Sequence, residues 1–531
     1  MNHIELFAGC GGLSLGLDEA GFELVLANEL SPMAAETFAY NFFGEDLEEL
    51  ANQDGNPAHT FWLNSKHADL KPRLRENPFN FPAFNEEGKT DMPVGDWDKL
   101  NGNLVVGSIV ELNRLLEANP QLAAKLKNAF GRKGGLDLVS GGPPCQSFSM
   151  AGKREKDSDK NTLPWEFAKF VEHTQPKIAL LENVTGILRP FKDDEGNQFH
   201  AWYEVAKVFA SIGYVPLCLH VNARLAGVAQ NRPRFIMIAV RHDHLALMNG
   251  NLNAQSHALF EQPLAFYQKV QDVVARQHED LEFGHLDYID ATRPAGLKLF
   301  QNSFLAPLVD AKEVSVRDAL DDLKINDAAE PSEFILQLNQ TFNRLAQHPP
   351  KLNHSLRNNS ELVQRRFRLY QVLQQEGERQ LNKAVFSILK GEENVLPEAA
   401  WDALKKYEYL HENGELGKFE SKVAFENYLH AHPTKKQTQK ALVADSPAPA
   451  ALSIPDDACH YDEKELRVLT VREMARIQSF PDNFVFRSKV TTGGQMRKFE
   501  VPQYTQVGNA VPPILGLKLG RAVAALLPEK E

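Results

Sequence analysis

Apolar residues alternate between short runs and helically spaced stretches through the first 240 positions. His3 to Phe7 reads as a strand, Ala8-Gly9-Cys10-Gly11-Gly12 as a turn, and Leu13 to Ala20 as a helix. Phe22 to Ala27 is a second strand, ending at Asn28-Glu29. That is half of a doubly wound nucleotide-binding unit. Residues 43–103 break the rhythm and read as an inserted excursion with little periodicity. Leu104 to Val106 and Leu136 to Ser140 are strands around a helix over 111–130, and Ile178 to Asn183 is another strand. Tyr214 to Ala223 and Arg234 to Arg241 read as a strand pair at the far edge of the sheet. Alternating strands and helices over this length predict an α/β layer fold of Rossmann type.

Beyond Arg241 the pattern changes. Residues 243–465 read as mostly helical, polar and loop-rich, with a long helix from Ser360 to Leu389. Ala441 to Ala451, with Pro447 and Pro449, reads as a linker. Thr470 followed by Glu473 is a capping box opening a helix to Gln478, and Pro512 to Leu527 is a final amphipathic helix. No internal repeat is present.

Composition adds limits. The chain has 531 residues, 43% hydrophobic and 24% charged, which fits a globular protein of about three domains. No apolar run reaches the roughly 20 residues of a membrane helix, and the opening Met1 to Glu5 does not read as a signal peptide. Four cysteines, Cys10, Cys145, Cys218 and Cys459, are too few and too scattered for a disulfide scaffold or a zinc cluster, so no metal is expected. Net charge is -12, which argues against non-specific coating of nucleic acid but not against a local basic groove. Residues 43–103 hold twelve Asp/Glu against six Lys/Arg, which is half of the excess. Residues 344–379 instead hold seven Lys/Arg, among them Arg365, Arg366 and Arg368, against three Glu. Lys435, Lys436 and Lys440 form a smaller cluster, and Arg487, Lys489, Arg497 and Lys498 a basic hairpin around Gly493-Gly494. Each is a candidate phosphate contact or a solvated face.

Four groups carry candidate chemistry. The loop from Phe7 to Gly12 brings backbone close to a ligand, and Glu29, 20 residues beyond Gly9, sits where an acid accepts ribose hydroxyls. The plainer alternative is a tight turn and a surface acid. Gly141-Gly142-Pro143-Pro144-Cys145-Gln146-Ser147 follows a strand, so Cys145 is presented at the carboxyl edge of the sheet as a nucleophile or is a small buried filler. Glu182, ending the next strand, is an acid toward a ring nitrogen or a solvated carboxylate. Arg232 and Arg234 share a face of an extended segment and can hold a phosphate or a base carbonyl; otherwise they are surface charges. Cys10, Cys218 and Cys459 read as fillers.

Together these pieces resemble the cytosine-C5 DNA methyltransferases. They are Phe7-x-Gly9-x-Gly11-Gly12, Gly142-Pro143-Pro144-Cys145-Gln146, Glu182-Asn183-Val184 and Gln230-x-Arg232-x-Arg234. Arg472-Glu473 with Arg476 to Pro481, and Gln506-x-Gly508-Asn509-x-Val511, complete the set. The resemblance covers residues 1–42, 104–242 and 466–527. It implies a sheet that binds S-adenosylmethionine, with Cys145 as the nucleophile toward carbon 6 of a flipped cytosine, Glu182 at N3, Arg234 at O2 and Arg232 assisting. It implies cofactor contacts from Phe7, Gly9, Gly11, Glu29, Ser108, Ile109, Pro144, Leu163, Asn509 and Val511. DNA contacts are expected from Gln146, Ser147 and the basic residues above. A catalytic, cofactor-binding domain would span 1–242 and 502–531, with 43–103 as an acidic insertion, and a target-recognition domain 243–501. Double-stranded DNA is the expected partner, with restriction or phage-defence proteins as further candidates, and the protein is expected to be a cytoplasmic, nucleoid-associated monomer without a membrane. Alternatives are an RNA methyltransferase and a catalytically silent scaffold. The family usually carries Gly-Asp-Ile where this chain has Gly107-Ser108-Ile109. A weaker adenine contact is expected, or a substitute acid from the insertion, with Asp69 one candidate.

Overall fold

A computed structural model describes residues 1–144, 163–192, 196, 198–248, 252–276, 281–345, 352–434, 439–450 and 452–527. Its centre is a nine-stranded sheet. In chain order the strands are β1 Asn2–Leu6, β2 Glu23–Glu29, β3 Thr60–Trp62, β4 Asn103–Val106, β5 Leu138–Gly141, β6 Ile178–Val184, β7 Tyr214–Asn222, β8 Pro233–Arg241 and β9 Ile289–Asp290. Across the sheet the order is β9-β7-β8-β6-β5-β1-β2-β4-β3. Strands β1 to β6 pair in parallel, and β8 runs antiparallel to both β6 and β7. The doubly wound core expected from the alternation is therefore present.

Both faces of the sheet are covered, which is why its strands are apolar almost throughout. In β6, Ala179 and Leu181 pack in the core with Phe167, Phe170, Val205 and Phe209, while Ile178 and Leu180 join Leu13, Leu17, Leu515 and Leu519. The second layer pairs helix Gly12–Glu19 with helix Pro513–Ala524 from the other end of the chain. Glycine makes that approach feasible: a Cβ on Gly16 would lie 2.3 Å from Leu517 N and 2.5 Å from Pro513 O.

Several sequence expectations need correction. The far edge is not formed by β7 and β8 alone, because β9 adds to β7. The insertion is not a mere excursion, since β3 pairs with β4 and forms the opposite edge. The helix expected over 111–130 is two, Ile109–Ala118 and Pro120–Lys127, because the residue before a proline is driven out of the helical region. The helix expected over 360–389 is also two, Glu361–Glu376 and Arg379–Leu389, divided at left-handed Gly377 (φ 71°). The stretch from Ala441 is tied down rather than loose: Ala448 N–H donates to Ala229 O at 2.9 Å, and Gln230 Nε2 donates to Pro449 O at 3.0 Å. The basic stretch before residue 500 is a short 3₁₀ turn, Gly494–Lys498, not a hairpin. The capping box at Thr470 is present as expected: Glu473 N–H donates to Thr470 Oγ1 at 3.2 Å, and Thr470 N–H to Glu473 Oε2 at 2.8 Å. Helices dominate the region between β9 and Thr470, also as expected.

Candidate active site

The carboxyl ends of the parallel strands open into one cavity of about 510 Å³. Its size lies within the usual range for a small-molecule site. The chain leaves β1 through two left-handed residues, Phe7 (φ 55°) and Gly9 (φ 56°). Glu29, at the end of β2, accepts the Gly9 N–H at 2.8 Å and the Ser31 N–H at 2.7 Å, one on each carboxylate oxygen. The 20-residue spacing seen in the sequence is thus a direct contact. Each oxygen retains a second lone pair, which suits the acceptance of hydroxyls. Ser108, just beyond β4, caps helix Ile109–Ala118 by accepting the Val110 N–H at 3.2 Å.

At the other end of the cavity, the antiparallel register sets Arg234 opposite Val184 and Ile236 opposite Glu182. Arg234 and Glu182 are therefore diagonal neighbours on one face, within reach of long side chains. Glu182 Oε1 lies 2.5 Å from Arg234 Nε, and both side chains are about nine-tenths buried. The contact is an ion pair rather than an aligned hydrogen bond. A Cβ on Gly142 would lie 2.9 Å from Glu182 Oε2, so glycine there leaves room for the carboxylate. Asn183 Nδ2 donates to Pro143 O at 3.0 Å and pins the loop that leads to residue 145. Burial pushes both Arg232 and Arg234 below the ordinary guanidinium value, and the Glu182 charge opposes the shift. Arg232 donates to Gly508 O at 2.8 Å and Ala510 O at 3.0 Å, tying the closing segment to the sheet. Its Nε–H is buried without an acceptor among the described residues.

Most of the expected site residues meet in this cavity. Phe7, Gly9, Glu29, Ser108, Ile109, Pro144, Leu163, Glu182, Arg232, Arg234, Asn509 and Val511 all line it. Gly11 lies beneath, against the Phe38 and Phe42 rings. Cys145, Gln146, Ser147, Lys435 and Lys436 fall outside the described residues. Asp69 is an exposed residue at the start of helix Leu70–Arg73 and does not line the cavity.

The basic residues separate. Arg497 and Lys498 are exposed and border the cavity. Arg487 is paired with Asp46 of the insertion at 2.5 Å and lies over the Tyr40 ring, while Lys489 is paired with Glu500 at 2.5 Å. Arg365 donates to His432 Nε2 at 3.0 Å and Arg366 to Pro433 O at 2.9 Å. Arg368 is buried, donating to Glu408 O at 2.9 Å and paired with Glu463 at 3.2 Å, so it serves the packing of its own region.

One group the sequence did not single out is Glu5. It lines the same cavity and is fully buried, and it accepts a hydrogen bond from the Ser14 hydroxyl. Burial raises its carboxyl from 4.5 to about 8, against the opposing Ser14 bond and with a small push from the Glu29 charge. The folded chain therefore keeps this proton at neutral pH. As pH rises from 4.5 to about 8, the unfolded chain releases the proton and the folded chain does not, so stability falls across that window. Glu5→Gln is expected to remove a slope on the order of 4 kcal/mol. Thermal unfolding of both proteins at about pH 5 and about pH 8 checks this; parallel pH dependences would refute it.

A glycine loop, an acid at the end of β2 and a buried carboxylate–guanidinium pair thus stand together at the carboxyl edge of a Rossmann-like sheet. Residues 1–63 and 125–525 match the family model of the C-5 cytosine-specific DNA methylases, and the chain belongs to that family. Three relatives are similar along nearly the whole chain. The type II methyltransferase M.DdeI of Desulfomicrobium norvegicum is 24% identical, over 99% of this chain and 88% of its own. M.Bpa9945I of Bacillus paralicheniformis is 24% identical, over 98% of each chain. M1.HphI of Haemophilus parahaemolyticus is 25% identical, over 98% of this chain and 86% of its own. The internal stretch outside the family model, residues 64–124, takes in most of the insertion and also Ser108. Among the described residues no helix is long and apolar enough to cross a membrane.

Proposed function

We propose that the chain methylates carbon 5 of a cytosine flipped out of duplex DNA, at a sequence read by its 243–501 region, as the modification activity of a restriction or phage-defence system. The Glu182–Arg234 pair carries this reading, since it lies in the cavity beside the pinned loop that leads to Cys145. Two guanidinium groups and one carboxylate leave that end of the cavity with a positive surplus, which favours a thiolate over a thiol nearby. The Cys145 sulfur adds to carbon 6, and Glu182, which takes up a proton from solvent as the base enters, gives that proton or a hydrogen bond at N3, so that carbon 5 becomes enamine-like. Arg234 holds O2. Bound S-adenosylmethionine supplies the electrophilic methyl group. The methylated carbon 5 then loses its proton to solvent, and the electron pair of that bond re-forms the carbon 5–carbon 6 double bond and expels the sulfur as the thiolate.

The residues present fit the cofactor. Phe7 offers a ring, Glu29 a hydroxyl acceptor, and the Phe7–Gly12 loop close backbone. Arg497 and Lys498, at the border of the cavity, are the preferred phosphate contacts, with Gln146 and Ser147 on the loop after Cys145. Arg365, Arg366, Arg487 and Lys489 are secondary candidates, because each already has a protein partner. The three relatives carry the name type II methyltransferase, which supports the methyl-transfer part of this reading. Bisulfite sequencing of DNA from cells expressing the protein is the test. Cytosine protection in one sequence context is expected, and unprotected DNA in every context would overturn the reading.

A further inference from the structure

The insertion reaches the cofactor end of the cavity. After β3 the chain passes beside the first turn of helix Ile109–Ala118, where the Phe84 N–H donates to Glu111 Oε2 at 3.1 Å. Asn64 Nδ2 holds Ala83 O at 2.7 Å from the other side. Just before these anchors lies a 3₁₀ turn, Pro78–Asn80, opened by Asn77, whose side chain accepts the Phe79 N–H at 3.1 Å. This capped turn sets Phe79 in the wall of the cavity that Phe7, Glu29, Ser108 and Ile109 also line. Phe79 is 56% exposed there. A large ring held at that exposure on the wall of a small-molecule cavity is apolar surface that a ring-bearing ligand can bury.

Ser108 supplies the complementary observation. Its hydroxyl carries no charge and already accepts the Val110 N–H as a helix cap. Its hold on an adenine amino group is therefore weaker than a carboxylate's. Asp69, the substitute acid named from the sequence, does not line the cavity. The insertion offers the cavity Pro78 and Phe79, an apolar pair, instead of an acid.

We propose that Phe79 is an aromatic wall of the cofactor pocket, supplied by the insertion, which packs on the adenine ring of S-adenosylmethionine and compensates for the uncharged Ser108. This rests on the reading that the cavity binds S-adenosylmethionine. Titration calorimetry of the full chain with S-adenosylhomocysteine tests it without turnover. Phe79→Ala is expected to bind about ten-fold more weakly, with an unchanged melting temperature because the side chain is largely exposed. Phe79→Trp is expected to bind about as the wild type does, and the introduced indole to change its emission on binding. Wild-type affinity in Phe79→Ala would overturn the proposal while leaving the cofactor reading intact. Equal losses in the alanine and tryptophan variants would also overturn it, since the ring would then not be the feature that matters. No binding by the wild type would overturn the cofactor reading and the proposal together.

Discussion

Duplex DNA carrying 5-fluorocytosine at the target base is expected to become covalently attached to the wild-type protein when S-adenosylmethionine is present. Cys145→Ala is expected to form no such adduct. Fluorine at carbon 5 cannot leave as a proton, so the step that normally expels the sulfur is blocked and the carbon 6–sulfur bond persists. The chain has four cysteines, and the other three are poor candidates for that bond. Cys10, Cys218 and Cys459 are buried, and burial pushes each thiol far above its ordinary value, which leaves almost no thiolate at neutral pH. The Cys145→Ala variant is also expected to lose methyl transfer to natural duplex by about 10³-fold or more, the scale seen when a nucleophile is removed. Denaturing gel electrophoresis of the protein–DNA mixture reads the adduct, and tritiated methyl transfer reads the rate. An adduct that survives in Cys145→Ala, or none with wild type on the methylated sequence, would sink the covalent route.

The sheet was legible because its interior strands are nearly continuous apolar runs and its reactive residues stand at their ends. Ile178-Ala179-Leu180-Leu181 followed by Glu182 states both facts in five residues. Spacing also carried the Gly9–Glu29 contact, since one helix and one strand separate the two groups. What was not legible depends on partners distant in sequence. Arg368 looked like part of a basic surface, but the Glu408 carbonyl and the Glu463 carboxylate that hold it lie 40 and 95 positions later. β3 has only three residues, and its strand character comes from backbone bonds to β4 rather than from periodicity. The proline-rich stretch after Ala441 looked like a linker because prolines punctuate it, yet its backbone is paired with Ala229 and Asn231. Glu5 passed unnoticed since a strand acid normally faces water, and only the helix above it, with Ser14, closes it off. Phe79 was hidden for the opposite reason: an aperiodic acidic insertion gives no sign of which of its rings meets a cavity.

Glu182→Gln is expected to lower the methyl-transfer rate by about 10²- to 10⁴-fold, the usual range for loss of a positioned general acid. It should also lower stability, for a separate reason. Glu182 and Arg234 are side-chain exposed by only 11% and 9%, so the amide leaves a buried guanidinium without its counter-charge. Breaking one partner of a buried pair typically costs about 3 kcal/mol, whereas removing both charges together is often nearly neutral. The double variant Glu182→Gln/Arg234→Met therefore separates the two roles. Thermal unfolding should show the single variant destabilised and the double variant largely restored. Single-turnover methyl transfer should remain depressed in both, because the amide can donate a hydrogen bond to N3 but cannot transfer a proton to it, and the double variant also lacks the O2 contact. Binding of S-adenosylhomocysteine should survive in both, since the pair lies at the opposite end of the cavity from Glu29 and Ser108. A rate that recovers along with stability in the double variant would mean that neither side chain acts on the base. A rate that stays low while stability returns assigns the loss to chemistry at the base, carried by Glu182 at N3 together with Arg234 at O2, rather than to unfolding.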